Sequence, residues 1–344
     1  MPQQETASTP ADLPPQLVIR QMLTGYWMAQ GVYVVAKLGI ADLVKDGPKN
    51  ADELAKATGV NARSLYRLLR ALASVGVFAE DAGGRFRLTP PAACLLSDAP
   101  GSQRAAALMM GEEHFRCWTD LLYSIETGET AFEHVYGEPV FTYLATHPHA
   151  AKVFDEAMTS IHGAETGAML AVYDFSPVRT LVDVGGGNGT LLTTVLRKYP
   201  SMRGILFDRP DVIERARANL KAAGLEERCQ AVAGSFFESV PPGGDAYLLR
   251  HIVHDWDDGE CQTILRNCRK VMPQTGRLLV IESVIPPGNE PCFGKLLDVN
   301  MLVIPGGMER TEPEYRDLFA KAGFTLSRVV PTDREVSVVE GQPA

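Results

Sequence analysis

From residue 177 onward, apolar positions come in short runs separated by amphipathic stretches. Runs at 180–184, 204–208, 229–233, 246–250 and 277–283 have the length and β-branched character of buried strands. Between them, 189–198, 211–223 and 259–272 space their apolar residues as helices do. This alternation predicts an α/β fold built on a doubly wound, mostly parallel sheet of the Rossmann-like kind. Thr311-Glu-Pro-Glu314 has the form of a capping box and opens a helix that ends near Gly323. Two further strands follow, at 326–330 and 336–340.

The first hundred residues follow another pattern. Residues 17–44 are apolar and helix-like, interrupted by glycines at 25, 31 and 39, and too apolar for a monomer surface. Asn50 caps a helix, with Glu53 completing a capping box, and the helix stops at Gly59. Asn61 opens the next, in which Leu65, Leu68, Leu69 and Leu72 form one core face. Val77-Phe78 and 86–88, joined by Asp81-Ala-Gly-Gly84, read as a hairpin. Together these elements predict a winged helix. Arg63, Arg67 and Arg70 lie on the outer face of its second helix, which raises the question of DNA. Residues 1–100 nevertheless hold ten Lys/Arg against nine Asp/Glu, too balanced for a phosphate-neutralising surface. A scaffold that dimerises is the better reading.

Length and composition narrow the picture. A chain of 344 residues exceeds the usual single domain. We expect a disordered Pro-rich tail at 1–14, a winged-helix dimerisation domain at 15–105 and a catalytic domain at 106–344. The net charge of −9 argues against a nucleic-acid partner. The six cysteines contain no C-x-x-C pair and read as reduced thiols of a cytoplasmic protein. No apolar run is long enough for a bilayer span.

The chemistry starts at Asp183-Val-Gly-Gly-Gly-Asn-Gly189, where a strand gives way to a glycine turn and a helix. Such a turn lets backbone amides approach a nucleotide-like ligand. Asp208, at the tip of the next strand, stands where ribose hydroxyls are held. The spacing is G-x-G-x-G rather than G-x-G-x-x-G. Asp183, two positions before Gly185, would repel a diphosphate. A cationic or zwitterionic ligand suits that charge, and S-adenosylmethionine is one.

A second cluster, His251-Ile-Val-His254-Asp-Trp-Asp-Asp258, follows the strand 246–250, at the sheet edge where α/β folds place their sites. A histidine there can take a proton from a hydroxyl, provided a carboxylate orients it. Glu282 and Glu309 are the candidate partners. His251 and His254 have no third ligand at a recognisable spacing, so no metal site is expected.

With these motifs in view, the chain resembles the S-adenosylmethionine-dependent O-methyltransferases of the plant caffeate and hydroxyindole type and their bacterial secondary-metabolite relatives. The likeness covers almost the whole chain. It rests on the glycine motif, Phe207-Asp-Arg-Pro-Asp-Val-Ile213, Arg250-His-Ile-Val-His-Asp-Trp256 and Gly306-Gly-Met-Glu-Arg-Thr311. The resemblance implies that Asp183, Gly185 and Gly187 meet the methionine part of the cofactor. It implies that Asp208 holds the ribose hydroxyls, that Gly234, Ser235 and Phe236 form the adenine edge, and that Arg209 and Arg250 are also at the cofactor. His254 matches the general base, with Glu282 and Glu309 as its flanking carboxylates and Asp255 as its neighbour. Trp118, Phe154, Met158 and His162 on one wall, and Asp298, Asn300 and Met301 on the other, match the acceptor pocket, with the helical segment 106–175 folding over it. The acceptor implied is a small aromatic phenol or enol, and the implied assembly a homodimer through the N-terminal domain.

Two positions depart from the family pattern. Gly234-Ser-Phe-Phe237 stands where the family has Gly-Asp-Met/Phe-Phe, so Ser235 offers no charge-assisted bond to the adenine amino group. Arg250 replaces a lysine common in plant members. Two other readings stand beside methyl transfer to oxygen. The same fold can serve carbon or nitrogen methylation, or cofactor-assisted hydroxylation or decarboxylation, although retention of His254 speaks for O-methylation. A winged-helix DNA-binding regulator is the more distant reading.

Overall fold

The computed structural model describes residues 13–344. The expected tail at 1–14 therefore lies, but for its last two residues, outside the described residues. The chain divides into two compact units, one ending at Glu113 and the other running from His114 to Ala344.

In the first unit the helix Pro15–Lys37 runs unbroken through Gly25 and Gly31, against the expectation that these glycines interrupt it. An interior glycine costs a helix only about 1 kcal/mol relative to alanine. At Gly31 the missing side chain also has a use, because a Cβ would stand 3.2 Å from Leu72 Cδ2. The helix packs there against Ala62–Ser74. The break comes at Gly39, with φ 65°. Asn50 and Glu53 form the expected reciprocal box at the start of Ala51–Thr58. Leu65, Leu69 and Leu72 are buried, and Leu68 only half-buried. Strands β1 (Lys49–Asn50), β2 (Phe78–Glu80) and β3 (Arg85–Leu88) form a small sheet in the order β1-β3-β2. The two-residue β1 is too short to show in an apolar pattern. Met22, Leu23 and Trp27 of the first helix are 71, 69 and 63% exposed, an apolar surface of the kind that ordinarily meets a partner.

The second unit holds β4 (Thr180–Val184), β5 (Arg203–Asp208), β6 (Cys229–Ala233), β7 (Ala246–Arg250), β8 (Arg277–Glu282), β9 (Phe324–Pro331) and β10 (Ser337–Pro343). Their order is β6-β5-β4-β7-β8-β10-β9. The first five are parallel, and β10 runs antiparallel to β8 and β9. Successive residues on one strand enter different cores, Leu181 one and Val182 the other, as a sheet covered on both faces requires. The chain works outward from β4 to β6 and then crosses back to β7. The switch point lies between β4 and β7, where open α/β sheets bind ligands.

Helices fill most of residues 115–172. Part of the aromatic density there is simply core. Phe132 packs with Cys117, Val140, Val303 and Ile304, and Tyr173 and Phe175 join the main core. No helix among the described residues is long and apolar enough to cross a membrane.

Candidate active site

The glycine turn leaves β4 with Gly185, Gly187 and Gly189 at φ 71, 58 and 78°, a region that L side chains avoid. A Cβ at Gly185 would stand 2.4 Å from Ile252 Cδ1, whereas at Gly187 nothing lies within 4 Å. The turn is thus pressed against the fold at one glycine and open at another. Gly187 N donates to Asp208 Oδ2 at 2.8 Å, and Arg209 N donates to Oδ1 at 2.7 Å. These bonds pin Asp208 at the tip of β5, where burial raises its carboxyl above the ordinary range.

Asp183 is buried, and its Oδ2 has no hydrogen-bond partner. Burial pushes this carboxyl up to about 7, against the pull of Arg250. A buried polar atom without a partner calls for one, and a cationic group supplies both a donor and a counter-charge. This vacancy of bonding beside an open glycine turn fits a sulfonium cofactor that carries an ammonium group. Arg250 Nη1 donates to Thr166 Oγ1 at 2.9 Å. At the other side, Gly234 N donates to Asp208 O at 3.0 Å, and a Cβ on Gly234 would meet Phe207 Cε2 at 2.7 Å. Ser235 Oγ accepts from Phe237 N at 3.3 Å, and Phe236 packs edge-on against Trp256.

The His254 loop is held by charges inside the protein. His251, with φ 53°, is the one non-glycine residue among those described with a positive φ. It turns the chain off β7 into the single 3₁₀ turn Val253–Asp255. Glu282 Oε1 accepts from the backbone N–H groups of Ile252, Val253 and His254 at 3.0, 2.7 and 3.1 Å. Its Oε2 accepts from Tyr315 Oη at 2.6 Å. The buried Arg310 donates to Val253 O and Trp256 O at 3.0 and 3.2 Å and pairs with Asp258. The loop's amides therefore rest on an anion and its carbonyls on a cation.

Glu309 Oε1 lies 2.7 Å from His254 Nδ1. Glu309 N in turn donates to Asp298 Oδ1 at 2.8 Å, which ties helix Gly294–Val303 to the histidine's partner. Gly307 lies against the loop backbone, since a Cβ there would be 2.0 Å from His254 O. Burial lowers the His254 pKa, but Asp255, Glu309 and Glu282 outweigh it and raise it to about 10. Asp255 Oδ1 is 3.5 Å from Nε2, and burial lifts its own carboxyl to about 7.

The expected flanking carboxylates thus divide the work. Glu309 holds the ring, and Glu282 holds the backbone that carries it. Of the acceptor-side residues, Trp118 Nε1 donates to Asn300 Oδ1 at 2.9 Å, and Met301 is buried on the same helix as Asn300. Phe154 meets Phe141, which lies against Trp256. Phe154 and Met158 both stand on helix Pro148–Ile161, and His162 follows it. His162 Nδ1 and His251 Nε2 share Glu165, at 3.0 and 2.8 Å. These three bring donor atoms within 4.8 Å of one another, and His254 is not among them.

Sequence reasoning missed Glu165, Arg310, Tyr315 and His114. Arg310 and Tyr315 sit in or just after the Gly306–Thr311 motif, so only their roles were hidden. Nothing local marked Glu165 or His114. His114 is buried, bonds Asn300 and is lowered to about 4 by that burial.

Residues 118–325 match the O-methyltransferase domain, and residues 20–98 match the O-methyltransferase dimerisation domain. The chain belongs to the O-methyltransferase family. It is 50% identical over 331 residues to the phenazine O-methyltransferase PhzM of Lysobacter antibioticus, covering 96% of this chain and 97% of that one. It is 36% identical over 321 residues to the phenazine-1-carboxylate N-methyltransferase of Pseudomonas aeruginosa, covering 93% and 95%. Among solved structures, LaPhzM superposes with a TM-score of 0.94 at 50% identity, covering 96% of this chain and 100% of that one. Human N-acetylserotonin methyltransferase in complex with S-adenosylmethionine superposes with a TM-score of 0.89 at 26% identity, covering 98% and 100%. The protein is an S-adenosylmethionine-dependent methyltransferase, and the family resemblance and α/β fold expected from its motifs are borne out.

Proposed function

We propose that this methyltransferase transfers the methyl group of S-adenosylmethionine to a hydroxyl of a small aromatic acceptor, with His254 as general base. The observation that carries the reading is the 2.7 Å pairing of buried His254 Nδ1 with Glu309, which leaves Nε2 as the nitrogen to receive a proton. The bound cofactor would supply a methyl group already electrophilic on its sulfonium. Asp183, Gly185, Gly187, Asp208 and Arg209, with Gly234, Ser235, Phe236 and Arg250, would hold it. The protein's remaining task is alignment and proton removal, and alignment alone is worth several kcal/mol of barrier. Three carboxylates raise the imidazole to about 10, so its deprotonated form is a strong acceptor for a phenol's proton, while only a small fraction of it is deprotonated near neutral pH. Glu309 keeps Nδ1 protonated and the ring oriented. Trp118, Phe154, Met158, His162, Asn300 and Met301 would bound the acceptor pocket, with Asp255 beside the proton-accepting nitrogen and Asp298 behind Glu309.

The exposed apolar row on the first helix and the match to a dimerisation domain support a homodimer through the first unit. A nitrogen acceptor is a second reading, favoured by the relative named an N-methyltransferase.

The test is transfer of labelled methyl from S-adenosylmethionine to a panel of phenols, hydroxyphenazines and hydroxyquinones. His254→Ala should lower transfer about 10²–10⁴-fold at unchanged cofactor affinity. Transfer that survives the substitution would sink the base assignment and favour an acceptor nitrogen with no proton to lose.

A further inference from the structure

The glycine turn and the helix Pro148–Ile161 are joined by one short side-chain bond. Asn188 Nδ2 donates to Thr159 Oγ1 at 2.6 Å. Asn188 is itself fixed inside the turn. Its Oδ1 accepts from Thr190 N at 3.1 Å and Thr190 Oγ1 at 2.6 Å, and its backbone carbonyl accepts from Asn219 Nδ2 at 3.2 Å. Gly187 and Gly189, either side of it, both have positive φ. On the helix, Thr159 Oγ1 is oriented by donating to Asp155 O at 2.8 Å, which presents its lone pairs to Asn188.

Two further contacts reach this region from other elements, one from the tip of β5 to helix Val140–Thr146 and one from helix Pro210–Ala222 to helix Pro148–Ile161. Arg209, whose N–H holds Asp208, donates through Nη1 to Phe141 O at 3.1 Å. Arg215 Nε donates to Asp155 Oδ2 at 3.0 Å. That ion pair is about half exposed, and exposed pairs contribute little by themselves. The half-buried Asn188–Thr159 bond is the one placed to carry information, because it begins in the turn and ends on the helix that bears Phe154 and Met158.

We propose that Asn188 and Thr159 form a latch through which occupancy of the glycine turn orders helix Pro148–Ile161 and so shapes the acceptor pocket. The inference rests on the reading of that turn as the cofactor cradle. Thr159 is a positioning residue in this scheme, acting through the helix and not touching the reacting atoms. Coupling of this kind is reciprocal, so an acceptor seated against the helix would tighten the cofactor by the same factor.

Hydrogen exchange of the full chain, with and without S-adenosylhomocysteine, tests the latch without an acceptor. In the wild type, the ligand should slow exchange at 185–190 and, by about fivefold or more, along 148–161, the lower end of ordinary coupling factors. Thr159→Val should keep the slowing at 185–190 and lose it along the helix, and Thr159→Ser should restore it. Helix protection that persists in Thr159→Val, or wild-type protection confined to the turn, overturns the latch and leaves the cradle standing. Absence of protection at both segments overturns the cradle reading and the latch with it.

Discussion

His254 and Glu309 are joined at 2.7 Å through Nδ1 and Oε1, deep enough that neither side chain exceeds 7% exposure. Glu282, the other carboxylate expected beside the imidazole, spends one oxygen on three backbone amides and the other on Tyr315. Two buried acids near one histidine thus perform different tasks, one on the ring and one on its support.

That division separates the two glutamine variants. The base is the deprotonated imidazole, so transfer should rise with pH as His254 loses its proton, on a limb set by a pKa raised to about 10. Glu309→Gln removes a negative charge that raises the pKa, so the limb should move to lower pH by about one unit or more, as loss of a contacting opposite charge does. Glu282→Gln should instead chiefly destabilise the fold, by about 1–3 kcal/mol for impaired buried hydrogen bonds. Profiles of rate against pH, with thermal unfolding of each variant, check this. Identical limbs in wild type and Glu309→Gln would refute it.

Asp183 predicts a pH dependence of cofactor binding. Its carboxyl is pushed up to about 7, and only the ionised form attracts a cation. Affinity for S-adenosylhomocysteine, which keeps the ammonium group, should therefore increase between pH 6 and pH 8. Asp183→Asn should bind more weakly and with a flatter profile. Calorimetric titration at the two pH values decides; an equal slope in the variant would remove Asp183 from the ammonium site.

Gly307 carries a steric prediction. With His254 O 2.0 Å from where its Cβ would be, Gly307→Ala must push two backbones apart. Overpacking of that kind costs about 1–3 kcal/mol, and the displacement falls on the loop that bears the base. Transfer should drop further than the loss of stability explains. Denaturant unfolding beside turnover at a temperature where the variant stays folded separates the two effects.

Ser235 predicts a gain. If Ser235 faces the adenine amino group as proposed, Ser235→Asp supplies a carboxylate there, and charge-assisted hydrogen bonds exceed neutral ones by roughly 1.4 kcal/mol. S-adenosylhomocysteine should bind about tenfold tighter. No change, or weaker binding, would show that Ser235 does not face the adenine amino group.

Much of this protein was determined by sequence alone. Every strand from β4 to β10 coincides within a few residues with a run read from the sequence, most clearly in the central β4, β7 and β8, because a strand covered on both faces is nearly all apolar. The capping boxes at Asn50 and Thr311 were equally legible, since a cap and its partner lie three residues apart. The glycine turn announced itself because positive φ at Gly185, Gly187 and Gly189 is a local demand that glycine meets. Tertiary structure decided what depends on distance across the chain. Gly25 and Gly31 did not break their helix, since an interior glycine costs only about 1 kcal/mol and at Gly31 the helix packs against Leu72. Glu282 and Glu309 are the same residue type near the same histidine, and no local pattern says which reaches the ring. Glu165 lies 86 positions from His251 and Asn188 lies 29 from Thr159, so both pairings exist only once the sheet's crossover has brought β7 and the glycine turn to one edge.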